Sequence, residues 1–306
     1  MTANRPHWLP EGLGADSVAL LHAAELDVEQ VMELIVTALS EDLDGGVDVT
    51  TVATVPVSHK SVLELTARQG GVISGAAVAF AVFDLVSAGT LKCEILAPDG
   101  STVIPGQVVL RASGRTLELL TGERTALNFL GHLSGIATAT AKWVEALSGT
   151  TARVRDTRKT TPGLRRLEKW AVRCGGGLNH RMSLSDAALV KDNHVVAAGG
   201  VVPAFEAVRH RFPGLPIEVE VDSLEQLQEV VQAGADLVLL DNFTTDQMRT
   251  AVEWTAGRAA LEASGGLTLA NAREVGSTGV DYVAVGAITH SAPVLDIGAD
   301  LRELED

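Results

Sequence analysis

Apolar positions recur at two different periods along this chain, and the change of period divides it. Val28, Val31, Met32, Ile35 and Leu39 fall at helical spacing behind Asp27. The Asp27 carboxylate can cap free backbone N–H groups, and Gln30 stands three residues on in a variant of the capping box. Upstream, about the first 25 residues keep no sustained period and are expected to form a loose arm. Residues 48–75, DVTTVATVPVSHKSVLELTARQGGVISG, are rich in β-branched side chains and predict strands. Ala76–Ser87 predicts a helix. PDGSTVIPGQVVLRASG predicts a hairpin turning at Asp99-Gly100. From about Leu119 to Leu147 the period is helical again, with Gly131 and Gly135 permitting close packing. Residues 1–128 therefore read as a smaller α+β domain, and 129–306 as a second domain.

After Gly149 the pattern changes. Six short apolar runs alternate with amphipathic stretches: ARVRDTRK, AALVKDN, IEVEVDS, DLVLLDN, RAALEAS and DYVAVGA. Helices are predicted over AFEAVRHRF, LEQLQEVVQAG, DQMRTAVEWTAG and LANAREVGSTG. Strand–helix alternation of this kind implies parallel strands joined by right-handed crossovers. An α/β barrel is the first reading and a doubly wound open sheet the second.

Each predicted strand runs out into polar chemistry: Arg158-Lys159, Lys191-Asp192-Asn193, Glu218/Glu220/Asp222, Asp241-Asn242, Ser264-Gly265-Gly266 and Gly286-Ala287. Barrel active sites lie at the C-terminal strand ends, and six convergent polar ends argue against a purely structural module. Side chains alternate along a strand, so Glu218, Glu220 and Asp222 share one face and Val219 and Val221 the other. With the valines against helices, the acids point inward. There they need a cation, whether Mg²⁺, Lys191 or an arginine. SGG at 264–266 and VGAITHS at 285–291 read as phosphate cradles, where glycine admits backbone N–H groups and a following helix start adds its dipole.

Charge sharpens this picture. The formal net charge is −15, which disfavours nucleic acid and anionic membranes as partners. Yet DTRKTTPGLRRLEKWAVRCGGGLNHR, residues 156–181, holds seven of the 24 Lys and Arg. Arg165, Arg166, Lys169 and Arg173 lie on a predicted helix, where an exposed basic face is the favoured reading. Arg158-Lys159 and His180-Arg181 instead belong near the barrel mouth, where Arg offers bidentate contacts to carboxylate or phosphate and Lys a point charge. Cys93 and Cys174 form no metal-spaced pattern and read as reduced thiols of a cytoplasmic protein, Cys174 as a packing residue rather than a nucleophile.

RTALNFLGHLSGIAT, the 156–181 segment, LVKDNH, EVEVDS, LLDN, EASGGL and VDYVAVGAITHS together resemble the quinolinate phosphoribosyltransferase family from about residue 27 to the C-terminus. The resemblance implies an N-terminal α/β sandwich and a C-terminal open α/β barrel of the type II phosphoribosyltransferase kind. It implies conversion of quinolinate and phosphoribosyl pyrophosphate to nicotinate mononucleotide, pyrophosphate and CO₂, with Mg²⁺, in NAD biosynthesis. It further implies a homodimer, or a higher oligomer, in which Arg124 enters the partner's site. By motif, Arg158 and Arg181 would bind the quinolinate carboxylates, with His180 and Lys191 beside them. Thr157, Lys159, Glu220 and Asp241 would face phosphoribosyl pyrophosphate, with Lys159, Glu220 and Asp241 catalytic. Glu220 and Asp241 would also hold the metal, directly or through substrate or water. Ser264, Gly265, Gly266, Val285, Gly286 and Ala287 would hold the 5′-phosphate. A Schiff-base lyase using Lys191, a non-enzymatic anion-binding barrel, and a relative associated with molybdate-transport operons are the competing readings.

Overall fold

A computed structural model describes residues 9–304, and the chain divides into two compact units. The first holds residues up to Ala139 together with Pro162–Gly175 and the C-terminal stretch from Ala292. Its elements are α1 (Ala15–Ala23), α2 (Val28–Leu43), α3 (Val49–Thr54), β1 (Lys60–Ala67), β2 (Gly71–Val72), α4 (Ala76–Ser87), β3 (Lys92–Ile95), β4 (Thr102–Val103), β5 (Val108–Arg115) and most of α5 (Thr116–Ala146). Asp27 caps α2 as expected, accepting from the Gln30 N–H at 2.9 Å, and Val31, Ile35 and Leu39 are buried.

Three local expectations are corrected. The supposed loose arm carries α1, the described part of which is fastened from outside: the Asp84 carboxylate on α4 accepts from Gly14 N–H and Ser17 Oγ at 2.7 and 2.6 Å. Residues 49–54 are helical despite their β-branched content, because Asp48 caps the Thr51 N–H at 3.0 Å. Asp99-Gly100 does not close a hairpin. β3 pairs with β5 and β4 with β2, while the Asp99 carboxylate accepts from the Ala76 N–H and the Trp170 indole at 2.8 and 2.7 Å.

The second unit holds Thr140–Thr161 and Gly176–Ser291. All six expected strands form: β6 (Arg153–Arg155), β7 (Ala188–Val190), β8 (Ile217–Val221), β9 (Leu237–Asp241), β10 (Ala260–Ser264) and β11 (Tyr282–Ala284). Between them run α7 (Asp192–Ala198), α8 (Val201–Arg211), α9 (Leu224–Gln232), α10 (Thr245–Thr255) and α11 (Ala272–Gly276), and α12 (Ala287–His290) follows β11. The sheet is parallel in the order β6-β11-β10-β9-β8-β7. The first strand lies beside the last, as in a barrel. A doubly wound sheet would hold it in the middle. Among the described residues β6 and β7 are not paired along their length, so the barrel is open there. It is curved nonetheless: Arg155 of β6 comes within 4.0 Å of Glu218 of β8, with three strands between them in sheet order.

The boundary expected at 128/129 falls inside α5, a continuous helix of 31 residues. Two later segments also return to the first unit. β12 (Ile297–Glu303) extends the N-terminal sheet antiparallel to β1, giving the order β12-β1-β5-β3. α6 (Arg165–Cys174) is the other. It departs from the exposed basic face expected of it: Lys169 and its neighbour Glu168 are fully buried, while Arg166 and Arg173 stay exposed.

Candidate active site

The C-terminal ends of the barrel strands meet around a pocket of about 290 Å³. Thr157, Arg158, Lys159, His180, Arg181, Lys191, Glu220 and Ser264 line it, all of them anticipated from sequence. Leu189, Leu239, Ala284 and Glu262 complete the lining and were not. Of the seven cations in residues 156–181, then, Arg158, Lys159 and Arg181 line the pocket, and the other four belong to the first unit.

The segment leaving β6 supplies Thr157, Arg158 and Lys159. The Thr157 hydroxyl accepts from the Lys159 N–H at 3.0 Å, and Thr289 donates its hydroxyl to the Lys159 carbonyl at 2.8 Å. Gly286 sits against this turn: a Cβ there would lie 3.0 Å from Lys159 Cδ and 3.3 Å from the Thr157 hydroxyl. His180 is buried and both ring nitrogens are engaged. Its Nε2 stands 2.6 Å from Glu218 Oε2, and its Nδ1 accepts from the Arg181 N–H at 2.7 Å. Fully buried Asp156 accepts from the His180 N–H and the Asn179 amide at 2.8 and 2.6 Å. This scaffold aims Arg181, whose guanidinium donates to the Ala187 carbonyl at 3.1 Å.

Arg158 and Arg181 are close enough to repel. Burial first, and then the Arg158 charge, pull the Arg181 pKa below the ordinary arginine value. The Nε atoms of both are buried and make no hydrogen bond among the described residues. Two like charges held together with donors unused are costly unless an anion joins them.

Opposite them, the Lys191 ammonium pairs with Glu220 at 2.8 Å. Asp241, at the end of β9, has its pKa raised, first by burial and then by the Glu220 carboxylate, against the opposing pull of Lys191, the Asn242 amide and Lys159. Asn242 adopts a left-handed backbone, with φ 56°. Gly265 is packed on it so closely that a Cβ would lie 2.1 Å from Asn242 Oδ1. The helices behind the two glycine turns are short: α12 has four residues and α11 five. The helix dipole expected at each turn is correspondingly small. Val285 is a buried side chain, so only its backbone is on offer.

Below the pocket lies a cluster that sequence reasoning only half found. Glu218 was read as inward-facing, but its partners were not identified. Arg155 donates to Glu262 at 2.6 Å and stacks 4.8 Å over the Tyr282 ring. The available signal was the lone charge of Glu262 in the middle of apolar β10. Arg124 lies on α5 in the other unit, exposed to solvent. Cys93 and Cys174 are unpaired, and burial, with the charges of Asp84 and Asp99 respectively, pushes both thiols up to about 12, far from nucleophilic.

An open α/β barrel with the guanidinium groups of Arg158 and Arg181, two lysines and the carboxylates of Glu220 and Glu262 around one pocket defines an enzyme of small anionic substrates; Asp241, Gly265, Gly266, Val285, Gly286 and Ala287 are not among the lining residues. The family is specified by comparison. Residues 48–134 match the model of the quinolinate phosphoribosyl transferase N-terminal domain, and residues 136–300 that of its C-terminal domain. The chain belongs to the quinolinate phosphoribosyl transferase family. It is 50% identical over 283 residues to the nicotinate-nucleotide pyrophosphorylase [carboxylating] of Mycobacterium leprae, covering 91% of this chain and 99% of that one. It is 41% identical to the probable enzyme of that name from Bacillus subtilis, covering 78% and 82%. Among solved structures, NadC from Streptococcus pyogenes superposes with a TM-score of 0.87 at 40% identity, covering 92% and 99%.

Proposed function

We propose that this chain is a quinolinate phosphoribosyltransferase (decarboxylating), which joins quinolinate to phosphoribosyl pyrophosphate and releases nicotinate mononucleotide, pyrophosphate and CO₂ in NAD biosynthesis. The observation that carries this reading is the Arg158–Arg181 pair, buried at its Nε atoms and without a hydrogen-bond acceptor there among the described residues. A planar aromatic dicarboxylate supplies two anions to two guanidinium forks. His180 takes a supporting role in this arrangement, because its ring nitrogens already serve Glu218 and the Arg181 backbone.

Phosphoribosyl pyrophosphate then lies toward Thr157, Lys159, Glu220 and Asp241, with its 5′-phosphate at Ser264–Gly266 and Val285–Ala287. Departure of pyrophosphate builds positive charge at the ribose anomeric carbon. Glu220 and Asp241 stabilise that charge, and Lys159 faces the leaving phosphates. The ring nitrogen attacks, and the positive charge it acquires eases loss of the adjacent carboxylate. Positioning of charges and exclusion of water, rather than a covalent enzyme intermediate, supply the rate. The Schiff-base alternative is disfavoured because the Lys191 ammonium is ion-paired with Glu220 and nearly half exposed.

The carboxylate pair fits Mg²⁺: Glu220 and Asp241 are near enough for one to raise the pKa of the other, and a divalent cation relieves that repulsion. Bound there, directly or through water and substrate, the ion would neutralise charge on the leaving pyrophosphate. We further assign a homodimer in which Arg124 enters the partner's pocket, adding a third guanidinium to it. Two unpaired cysteines support a cytoplasmic location, and no helix among the described residues is long and apolar enough to cross a membrane.

Supplying quinolinate, phosphoribosyl pyrophosphate and Mg²⁺ to the purified protein tests the reading. Nicotinate mononucleotide and equimolar CO₂ are expected, with no product from nicotinate. Absence of product from quinolinate, or turnover of nicotinate in its place, overturns it.

A further inference from the structure

The reaction proposed above replaces a ring carboxylate by hydrogen, so one proton must reach that carbon in every turnover. The inference that follows rests on that reading of function. Of the two acids lining the pocket, Glu220 and Glu262, the scheme so far leaves Glu262 without a task. It is fully buried in the middle of β10 and is one of the residues that line the pocket. Its Oε2 accepts from Arg155 at 2.6 Å. Its Oε1 makes no hydrogen bond among the described residues and stands 3.6 Å from His180 Nε2. Glu218 Oε1 is likewise buried without a hydrogen bond. One oxygen from each glutamate and a His180 nitrogen all lie within 4.8 Å of one another.

The charges of this cluster do not balance if both glutamates are ionised. Arg155 supplies one positive charge. His180 supplies none, because its Nδ1 accepts from the Arg181 N–H and so carries a lone pair, leaving the single ring proton on Nε2 toward Glu218. Asp156, fully buried on the adjoining strand end, adds a further negative charge. The groups facing Glu262 are thus Arg155 and Asp156 from the β6 side, Glu218 from β8 and His180 from the segment before β7. Leu239 and Tyr282 are its strand partners on β9 and β11. A buried excess of negative charge is relieved by binding a proton. Each glutamate accepts one hydrogen bond and has one buried oxygen without a partner among the described residues, so the pair holds the proton between them, and Glu262 is the member that lines the pocket. Burial first, and then the Glu218 charge, push the Glu262 pKa up to about 8, with Arg155 opposing.

We propose that Glu262 is a catalytic acid, holding a proton at the floor of the pocket and delivering it to the ring carbon vacated by CO₂. The bond between that carbon and the departing carboxylate breaks and leaves its electron pair on the ring. The pair takes the proton of the Glu262 carboxyl, a C–H bond forms, and Glu262 becomes a carboxylate paired with Arg155. Water entering after product release returns the proton.

The sign of the pH dependence follows. Glu262 carries its proton below about pH 8 and loses it above, so turnover falls as pH rises through that value. Glu262→Gln keeps the shape and the neutrality but has no proton to give. Expected for it are a kcat about 100-fold lower, a quinolinate KM close to that of the wild type, and no alkaline limb near pH 8. A variant with wild-type kcat, or one that keeps the alkaline limb, overturns the proposal. The protonation state is also measurable in the unmodified protein. Infrared spectra of chain carrying ¹³C-labelled glutamate are expected to show a protonated carboxyl at neutral pH that disappears above about 8. Its absence at neutral pH overturns the proposal whether or not the variant folds. Wild-type protein that makes no nicotinate mononucleotide removes the functional reading and this role together. A wild type that turns over beside an equally fast Glu262→Gln variant removes Glu262 alone.

Discussion

Arg158 and Arg181 set the chemistry of the pocket because nothing among the described residues satisfies their Nε donors. Each charge-assisted contact to a carboxylate contributes about 1.5–3 kcal/mol. Arg158→Ala and Arg181→Ala should each raise the quinolinate KM roughly 10- to 100-fold, as that energy converts to affinity. Steady-state kinetics at fixed phosphoribosyl pyrophosphate measure this, and an unchanged KM in both variants would remove the pair from the binding site. At this scale the sequence was informative about residue type and position. Arg158, Lys191 and Glu220 could be singled out because they lie on or at the ends of predicted strands, and Arg181 because, with His180, it follows a run of three glycines. Lys169 could not be separated from its neighbours, since an i,i+4 charge pattern looks alike on a solvated helix and on one that packs. Its complete burial depends on what α6 lies against.

Among the elements, α5 shows how a helix can be fixed by what it lacks. Gly131 and Gly135 lie on the face met by residues 293–295, where a Cβ on Gly135 would stand 2.2 Å from the Pro293 carbonyl oxygen and one on Gly131 3.1 Å from that of Leu295. Gly135→Ala should therefore destabilise the chain by about 1–3 kcal/mol through overpacking, although alanine is the better helix former. Thermal unfolding checks this: a lower Tm is expected, and an equal or higher one would show that the contact yields easily. The helical spacing behind Asp27 and the six strand–helix alternations were legible because each repeats its own period. α3 was misread because a single Asp48 cap outweighed β-branched content over six residues. The Asp99-Gly100 turn signal was real as chemistry but not as topology, since its carboxylate joins α4 and α6 rather than two strands.

For the whole molecule, the open question of assembly has a direct test. If Arg124 serves the partner's pocket, subunits inactivated by Arg124→Ala and by Glu220→Ala should complement when mixed. One site of each heterodimer would then be free of both substitutions. Activity recovered in verified heterodimers supports the shared site; none recovered argues that each subunit works alone. The sequence by itself determined the parallel strand count, the strand ends that carry polar chemistry, and the family, because these reside in short-range period and in local motifs. Only the tertiary structure decided which strands are neighbours, that α6 and β12 belong to the first unit, and that Arg155, Glu218, Glu262 and His180 form one buried cluster. Those outcomes depend on contacts between residues far apart in the chain, 107 positions in the Arg155–Glu262 pair and 238 in the Arg302–Glu64 pair across β1 and β12. No local period records such a contact. It exists only once the sheet has curved and brought inward-facing side chains from separate strands into the same low-dielectric space.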